Sequence, residues 1–220
     1  MSTEHIAGLK VAVIGHSFVK RLQSAVTPRV GTRHQRDRST AKNMGVDNLY
    51  SGVEIRGKSG AKARDLVGLV DHVCTKAGID AFVIDMGSND LCQSSCDVEM
   101  LADSIFSVAN YAHHGHGVRV VILCCVLNRG RCREVSPDIF AQRKAIFNDL
   151  MRGKVQSEKG LHFFMFSGFW HDHQGDPLPV AAWSSDLIHP GPNFASVGFK
   201  KYLKNIRACL LMAAAKLHQE

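Results

Sequence analysis

The sequence predicts an α/β domain of three layers, a mostly parallel sheet covered by helices on both faces. Three observations predict it. Short apolar, β-branched runs alternate with amphipathic stretches along nearly all 220 residues. The run from Val118 to Val126 is apolar almost throughout, as a strand buried on both faces must be. No internal repeat and no linker divides the chain, so a single domain is expected over residues 1–220.

The first strand runs from Lys10 to Ile14 and ends in Gly15-His16-Ser17. Phe18, Val19, Leu22 and Val26 then recur at helical spacing, so Ser17 falls where a buried strand gives way to a helix. Helix amides stabilise negative charge at such a point, and ligands of open α/β sheets collect there. The polar segment from Thr27 to Tyr50 is too long for a simple connection and is expected to be an insertion, a lid or a disordered loop. Val53–Gly57 reads as a second strand, followed by Ser59-Gly60 and a helix with Leu66, Leu69, Val70 and Val73 on one face. Ala81–Asp85 is a third strand, leading into Gly87-Ser88-Asn89-Asp90. Val98, Leu101, Ala102, Ile105, Val108, Ala109 and Ala112 give the cleanest helical period in the chain. After the Val118–Val126 strand, Ser136-Pro137 supplies an N-cap and first-turn proline for a helix carrying Phe140, Ile146, Phe147 and Leu150. Leu161–Phe166 is a fifth strand. A loop rich in Trp, His, Asp and Pro reaches to about Pro192, and a last helix carries Phe199, Leu203, Ile206 and Leu210.

Composition excludes several classes. With 45% apolar and 21% charged residues, the chain is that of an ordinary globular protein. No apolar run reaches the eighteen or so residues of a membrane span, and the start, Met-Ser-Thr-Glu-His, lacks the pattern of a secretory signal. The seven cysteines do not form a disulfide framework. Cys124 and Cys125 are strand neighbours that point to opposite faces, and Cys74 and Cys209 fall on apolar helix faces. Cys92 and Cys96 have spacing for a bridge or a metal, but no second Cys/His pair supports either. Reduced thiols and a cytoplasmic setting are expected.

The net charge of +7 is concentrated between Pro28 and Lys42, where Arg29, Arg33, Arg36, Arg38 and Lys42 face only Asp37. A solvated loop accounts for this run. A patch for nucleic acid or anionic lipid is the sharper reading, without aromatics to stack on bases. His113, His114 and His116 read as a solvated helix end rather than a metal site. His171 and His173 either ligate metal or line the mouth of a site, and Trp170 and Trp183 either wall a pocket or pack beneath a loop. Asp90 is expected to brace its loop by accepting from nearby amides.

Ser17, Gly60 and Asn89 each follow a strand, so all three fall on the carboxyl edge of a parallel sheet. If Asp186-Leu187-Ile188-His189 returns to that edge, a hydroxyl, an imidazole, a carboxylate and oxyanion donors are assembled. Gly15-His16-Ser17, Ser59-Gly60, Gly87-Ser88-Asn89-Asp90 and Asp186-Leu187-Ile188-His189 together resemble the four blocks of the SGNH hydrolases, the GDSL-like esterases and lipases. They stand in the family's order across nearly the whole chain.

The resemblance implies a flavodoxin-like α/β/α sandwich with a five-stranded parallel sheet of order 2-1-3-4-5. It implies a serine esterase acting on short acyl esters through an acyl-enzyme, with no cofactor and no metal. Ser17 would be the nucleophile, His189 the base and Asp186 its orienting carboxylate. The amides of Ser17 and Gly60 and the side chain of Asn89 would form the oxyanion hole. One position departs from the pattern: His16 stands where the family usually has Asp, which puts the geometry of the Ser17 turn in question. The stretch around Ser17 is also similar to esterase-like domains of invertebrate genomes, some encoded by retrotransposons. A binding or assembly module of the same fold, using the basic 28–42 loop, is the alternative. An acyltransferase would use the same residues as the esterase.

Overall fold

The computed structural model describes residues 8–26, 44–76, 78–129, 131–167, 188–189 and 196–219. Five parallel strands form one sheet in the order β2-β1-β3-β4-β5. They are β1 (Lys10–Gly15), β2 (Gly52–Gly57), β3 (Ala81–Asp85), β4 (Val120–Cys124) and β5 (Leu161–Phe164). The helices are α1 (Ser17–Val26), α2 (Leu66–Cys74), α3 (Val98–Asn110), α4 (Pro137–Val155) and α5 (Val197–Leu217). The sheet order matches the one expected.

Successive strand residues face opposite ways, and each face has its own core. Ala12, Ile14, Phe82 and Ile84 pack with Leu66, Val70, Ile105 and Phe147 from α2, α3 and α4. Val11, Val13 and Val83 pack with Phe18 and Leu22 from α1 and with Ile206 and Leu210 from α5. The central strands β1, β3 and β4 are therefore buried on both sides, apart from Lys10 at the start of β1.

Cap residues sit where the sequence sets them. Ser136 Oγ accepts from the Ile139 amide at 3.3 Å, and Asp97 accepts from the Met100 amide at 2.9 Å. Two predicted strands are longer than their ladders. Beyond Cys124 the backbone of Val126 pairs with the side chain of Asn148 on α4 (2.9 and 3.3 Å). Beyond Phe164 the backbone of Ser167 pairs in the same way with Asn205 on α5 (2.8 and 3.0 Å). These buried amides replace a strand partner and so end the ladder without orphaning backbone groups.

Two other expectations need correction. Ile146 is 43% exposed, because the buried stripe of α4 runs through Phe140, Phe147, Met151 and Val155. The end of the long polar segment is an ordered turn packed into the core rather than a disordered loop: Met44, Val46 and Tyr50 are buried, and Tyr50 donates to the Leu210 carbonyl at 2.7 Å. Its earlier part, with Arg29, Arg33, Arg36, Arg38 and Lys42, lies outside the described residues. No helix among the described residues is long and apolar enough to cross a membrane.

Candidate active site

The turn from β1 to α1 takes a single residue, His16, between Gly15 and Ser17. A side chain at Gly15 is excluded, since its Cβ would stand 2.2 Å from the Asp85 carbonyl oxygen on β3. His16 is wholly buried and caps the helix. Its Nδ1 accepts from the Phe18 amide at 3.3 Å, while its carbonyl accepts from the Lys20 amide at 3.0 Å. A ring nitrogen thus does the capping work for which a carboxylate is the commoner choice.

With Nδ1 accepting, the ring carries its proton on Nε2. That atom lies 3.3 Å from Asp85 Oδ1, an electrostatic contact without hydrogen-bond alignment. The other Asp85 oxygen accepts from the Tyr202 hydroxyl at 2.6 Å. Burial, then the neighbouring Asp85 charge, pushes the Tyr202 phenol well above its usual range, so it stays a donor. A buried polar chain of His16, Asp85 and Tyr202 therefore underlies the turn that presents Ser17.

The second strand leaves the sheet beside the first: the Lys58 amide donates to the Gly15 carbonyl at 3.0 Å, and Gly60 follows with φ of 70°. The loop after β3 is tied to this one twice. Asp90 accepts from the Ala63 amide with both oxygens (3.1 and 3.3 Å), as its sequence context suggests, and Asn89 Nδ2 donates to the Ala61 carbonyl at 2.8 Å. Burial raises the Asp90 carboxyl above the usual carboxylate range.

Sequence reasoning did not single out Arg129, five residues beyond β4. It is 9% exposed. Its Nε donates to Ser88 Oγ at 2.6 Å, one terminal nitrogen to Asn89 Oδ1 at 2.6 Å, and the other to Cys92 Sγ at 3.4 Å. The guanidinium carbon also lies 6.0 Å from the centroid of the Phe18 ring. Asn89 is therefore fixed at both ends of its amide, its oxygen by a cation and one N–H by a carbonyl, which leaves the second N–H to donate elsewhere. The available signal was a run of alternate arginines, Arg129, Arg131 and Arg133, just beyond the carboxyl end of an apolar strand.

The imidazole of His189 packs edge-on against Phe18, the residue after Ser17, with ring centroids 5.5 Å apart. Ser17, Gly60, Asn89 and His189 all line one cavity of about 460 Å3. Asp186 lies outside the described residues, as do Trp170, His171, His173 and Trp183.

The other clusters weighed in the sequence resolve differently. All seven cysteines are free thiols. The sulfur nearest Cys92 belongs to Cys132, at 2.6 Å, and not to Cys96. Burial, then its contact with Cys92, pushes the Cys132 thiol up to about 12. His113 meets the Val118 carbonyl at 2.6 Å, His114 meets Glu158 at 2.9 Å and His116 meets Asp71 at 2.9 Å, so the three rings serve three separate partners.

The fold is the three-layer sandwich with sheet order 2-1-3-4-5 that characterises SGNH hydrolases. No family model and no curated protein matches the chain. Solved structures do. A GDSL-like lipase from Bacteroides thetaiotaomicron VPI-5482 is similar over 97% of this chain and 93% of its own, with a TM-score of 0.67 at 14% identity. A catalytic mutant of an acetylxylan esterase from Geobacillus stearothermophilus covers 92% and 94%, with a TM-score of 0.66 at 16% identity. An alpha/beta hydrolase enzyme from the metagenome of Lake Arreo, Spain, covers 98% and 99%, with a TM-score of 0.64 at 16% identity. At these identities the likeness establishes the fold. It lends no support to the narrower resemblance to domains of invertebrate genomes.

Proposed function

We propose that this protein is a serine ester hydrolase of the SGNH type, working through an acyl-enzyme and needing no cofactor. The observation that carries the reading is the single cavity bordered by Ser17, Gly60, Asn89 and His189, four groups from four separate segments of the chain. The solved structures with this fold include a lipase and an acetylxylan esterase, which agrees with it.

In this reading His189 takes the proton of the Ser17 hydroxyl as that oxygen attacks the ester carbonyl, and Asp186 orients the imidazole. The carbonyl oxygen, now anionic, accepts from the backbone amides of Ser17 and Gly60 and from Asn89 Nδ2. Each such donor is worth about 3–4 kcal/mol in acyl transfer. The same imidazole then protonates the departing alcohol, and a water deprotonated by His189 releases the acid. Ser17 opens α1, so the helix amides favour the negative charge that develops beside it.

The test is hydrolysis of short 4-nitrophenyl esters by the protein and by Ser17→Ala, with fluorophosphonate labelling of both. Loss of roughly three or more orders of magnitude in kcat, together with loss of the label, is expected for the variant. A folded wild-type protein that neither turns over nor takes the label would rule the reading out.

A further inference from the structure

The cavity holds an imbalance of charge that ester hydrolysis alone does not call for. Among the described residues five cationic side chains line it, Arg21, Lys62, Arg129, Arg131 and Arg133, against one carboxylate, Glu134. The chain as a whole carries 27 Lys and Arg against 20 Asp and Glu, so the cavity is far more one-sided than the molecule. Glu134 is itself engaged, since its carboxylate accepts from both the amide and the hydroxyl of Ser94 (3.0 and 3.2 Å).

Arg129 is the more telling member. It is more than nine-tenths buried, and its three nitrogens donate to a hydroxyl, an amide oxygen and a thiol, all neutral. Among the described residues no carboxylate pairs with it. A buried cation without a counter-ion is costly, and an anion entering the cavity would relieve that cost. Lys62, Arg131 and Arg133, whose charged ends form no ion pair among the described residues, widen the same positive field toward the mouth.

Resting on the esterase reading, we infer that this site takes esters carrying a second, anionic group, a carboxylate, phosphate or sulfate, on the acyl or the alcohol part. The tetrahedral intermediate supplies one negative charge, which the oxyanion donors meet. The remaining cations hold the substituent and draw the substrate in, which raises kcat/KM for anionic esters and makes it salt-dependent.

The test uses two matched pairs: 4-acetoxybenzoate with its methyl ester, and 4-nitrophenyl monoadipate with its methyl ester. The first pair puts the charge on the alcohol side and the second on the acyl side. Each kcat/KM is divided by that ester's rate with hydroxide. A preference of about tenfold or more for the anion in at least one pair is expected, shrinking severalfold at high salt. The double variant Arg131→Gln/Arg133→Gln lowers that ratio, and Arg131→Glu/Arg133→Glu inverts it.

Binding of 4-hydroxybenzoate and its methyl ester to Ser17→Ala, followed by calorimetry, reads the anion site without turnover. Ratios near one in both pairs, unaffected by salt or by the arginine variants, would overturn the inference and leave the esterase reading standing. Salt-sensitive anion binding by Ser17→Ala, with no turnover of any ester by the wild-type protein, would do the reverse. Neither binding nor turnover would remove both.

Discussion

At Asn89 a neutral amide is held by a charged neighbour, and the consequence is chemical as well as geometric. The Arg129 guanidinium draws electron density toward Asn89 Oδ1, which makes the opposite N–H a better donor and, in the proposed reaction, a better partner for the developing oxyanion. The planar fork also bonds Ser88 and Cys92, so it fixes the loop while it polarises the amide. Lysine keeps the charge but not the fork. Arg129→Lys is therefore expected to lower kcat about tenfold or more with little change in KM. Asn89→Ala should cost at least as much, and the two together little more than Asn89→Ala alone, because one acts through the other. Steady-state kinetics on the three variants reads this directly.

Asp90, one residue on, is a residue whose charge the fold holds at a cost. Burial places its carboxyl above the usual range, so the native state keeps the proton more tightly than the unfolded chain does. Its contribution to stability is complete below the unfolded value of about 4 and is lost as pH rises through the folded value. Asp90→Asn retains an oxygen for the Ala63 amide and removes the charge. Its stability relative to wild type should rise as pH rises above the unfolded value and level off once pH has passed the folded one. Urea unfolding at pH 3, 5 and 7 would show it, and a difference independent of pH would refute the account.

On the scale of elements, the β1–α1 turn explains how His16 is accommodated where the resembled family usually has Asp. The imidazole caps the helix from one nitrogen and faces the Asp85 carboxylate with the other. A carboxylate at position 16 would face Asp85 in a site closed to water, and like charges there are strongly unfavourable. His16→Asp should therefore be markedly destabilising, although it restores the commoner motif, and Asp85→Asn in the same chain should recover much of the loss. Tyr202→Phe removes a hydroxyl that donates to a buried charge and should cost about 1.5–3 kcal/mol. Denaturant unfolding of these variants provides the check.

Legibility followed the range of the interactions involved. Ser17, Gly60 and Asn89 could be placed on one edge from sequence because each lies within a few residues of a strand end, and parallel strands end together. The alternation of elements likewise carried the layers and the strand positions. Arg129, Asp85 and Tyr202 could not be connected in this way. Asp85 and Tyr202 are 117 residues apart, and their bond depends on how α5 returns across the sheet. The Cys92–Cys132 contact spans 40 residues between two loops, for which no local period exists. Ile146 was misjudged because periodicity on a long helix leaves open which of two adjacent apolar residues faces inward.

For the whole molecule, the ladder ties the site together. Gly15 pairs with Gly57 on one side and with Asp85 on the other, so one rung of β1 sets the departure of both neighbouring strands. Ser17, Gly60 and Asn89 all follow within a few residues of that rung, and their spacing is inherited from strands about 4.8 Å apart. Both cores support the arrangement, one on each face.

The parallel ladder also divides the molecule into an edge that carries the candidate site and an opposite edge away from it. Gly117, at the amino end of β4, has φ of 69°, and nothing lies within 4 Å of where its Cβ would be. A short Gly/Ser peptide spliced in beside it would emerge on the far side of the sheet from Ser17 and Asn89, where surface loops accept added length at little entropic cost. Such a chain should keep its turnover, which an ester assay would show. The turn at Gly117 is therefore the expected attachment point for a tag, a tether or a second domain, on the side of the sheet away from the cavity.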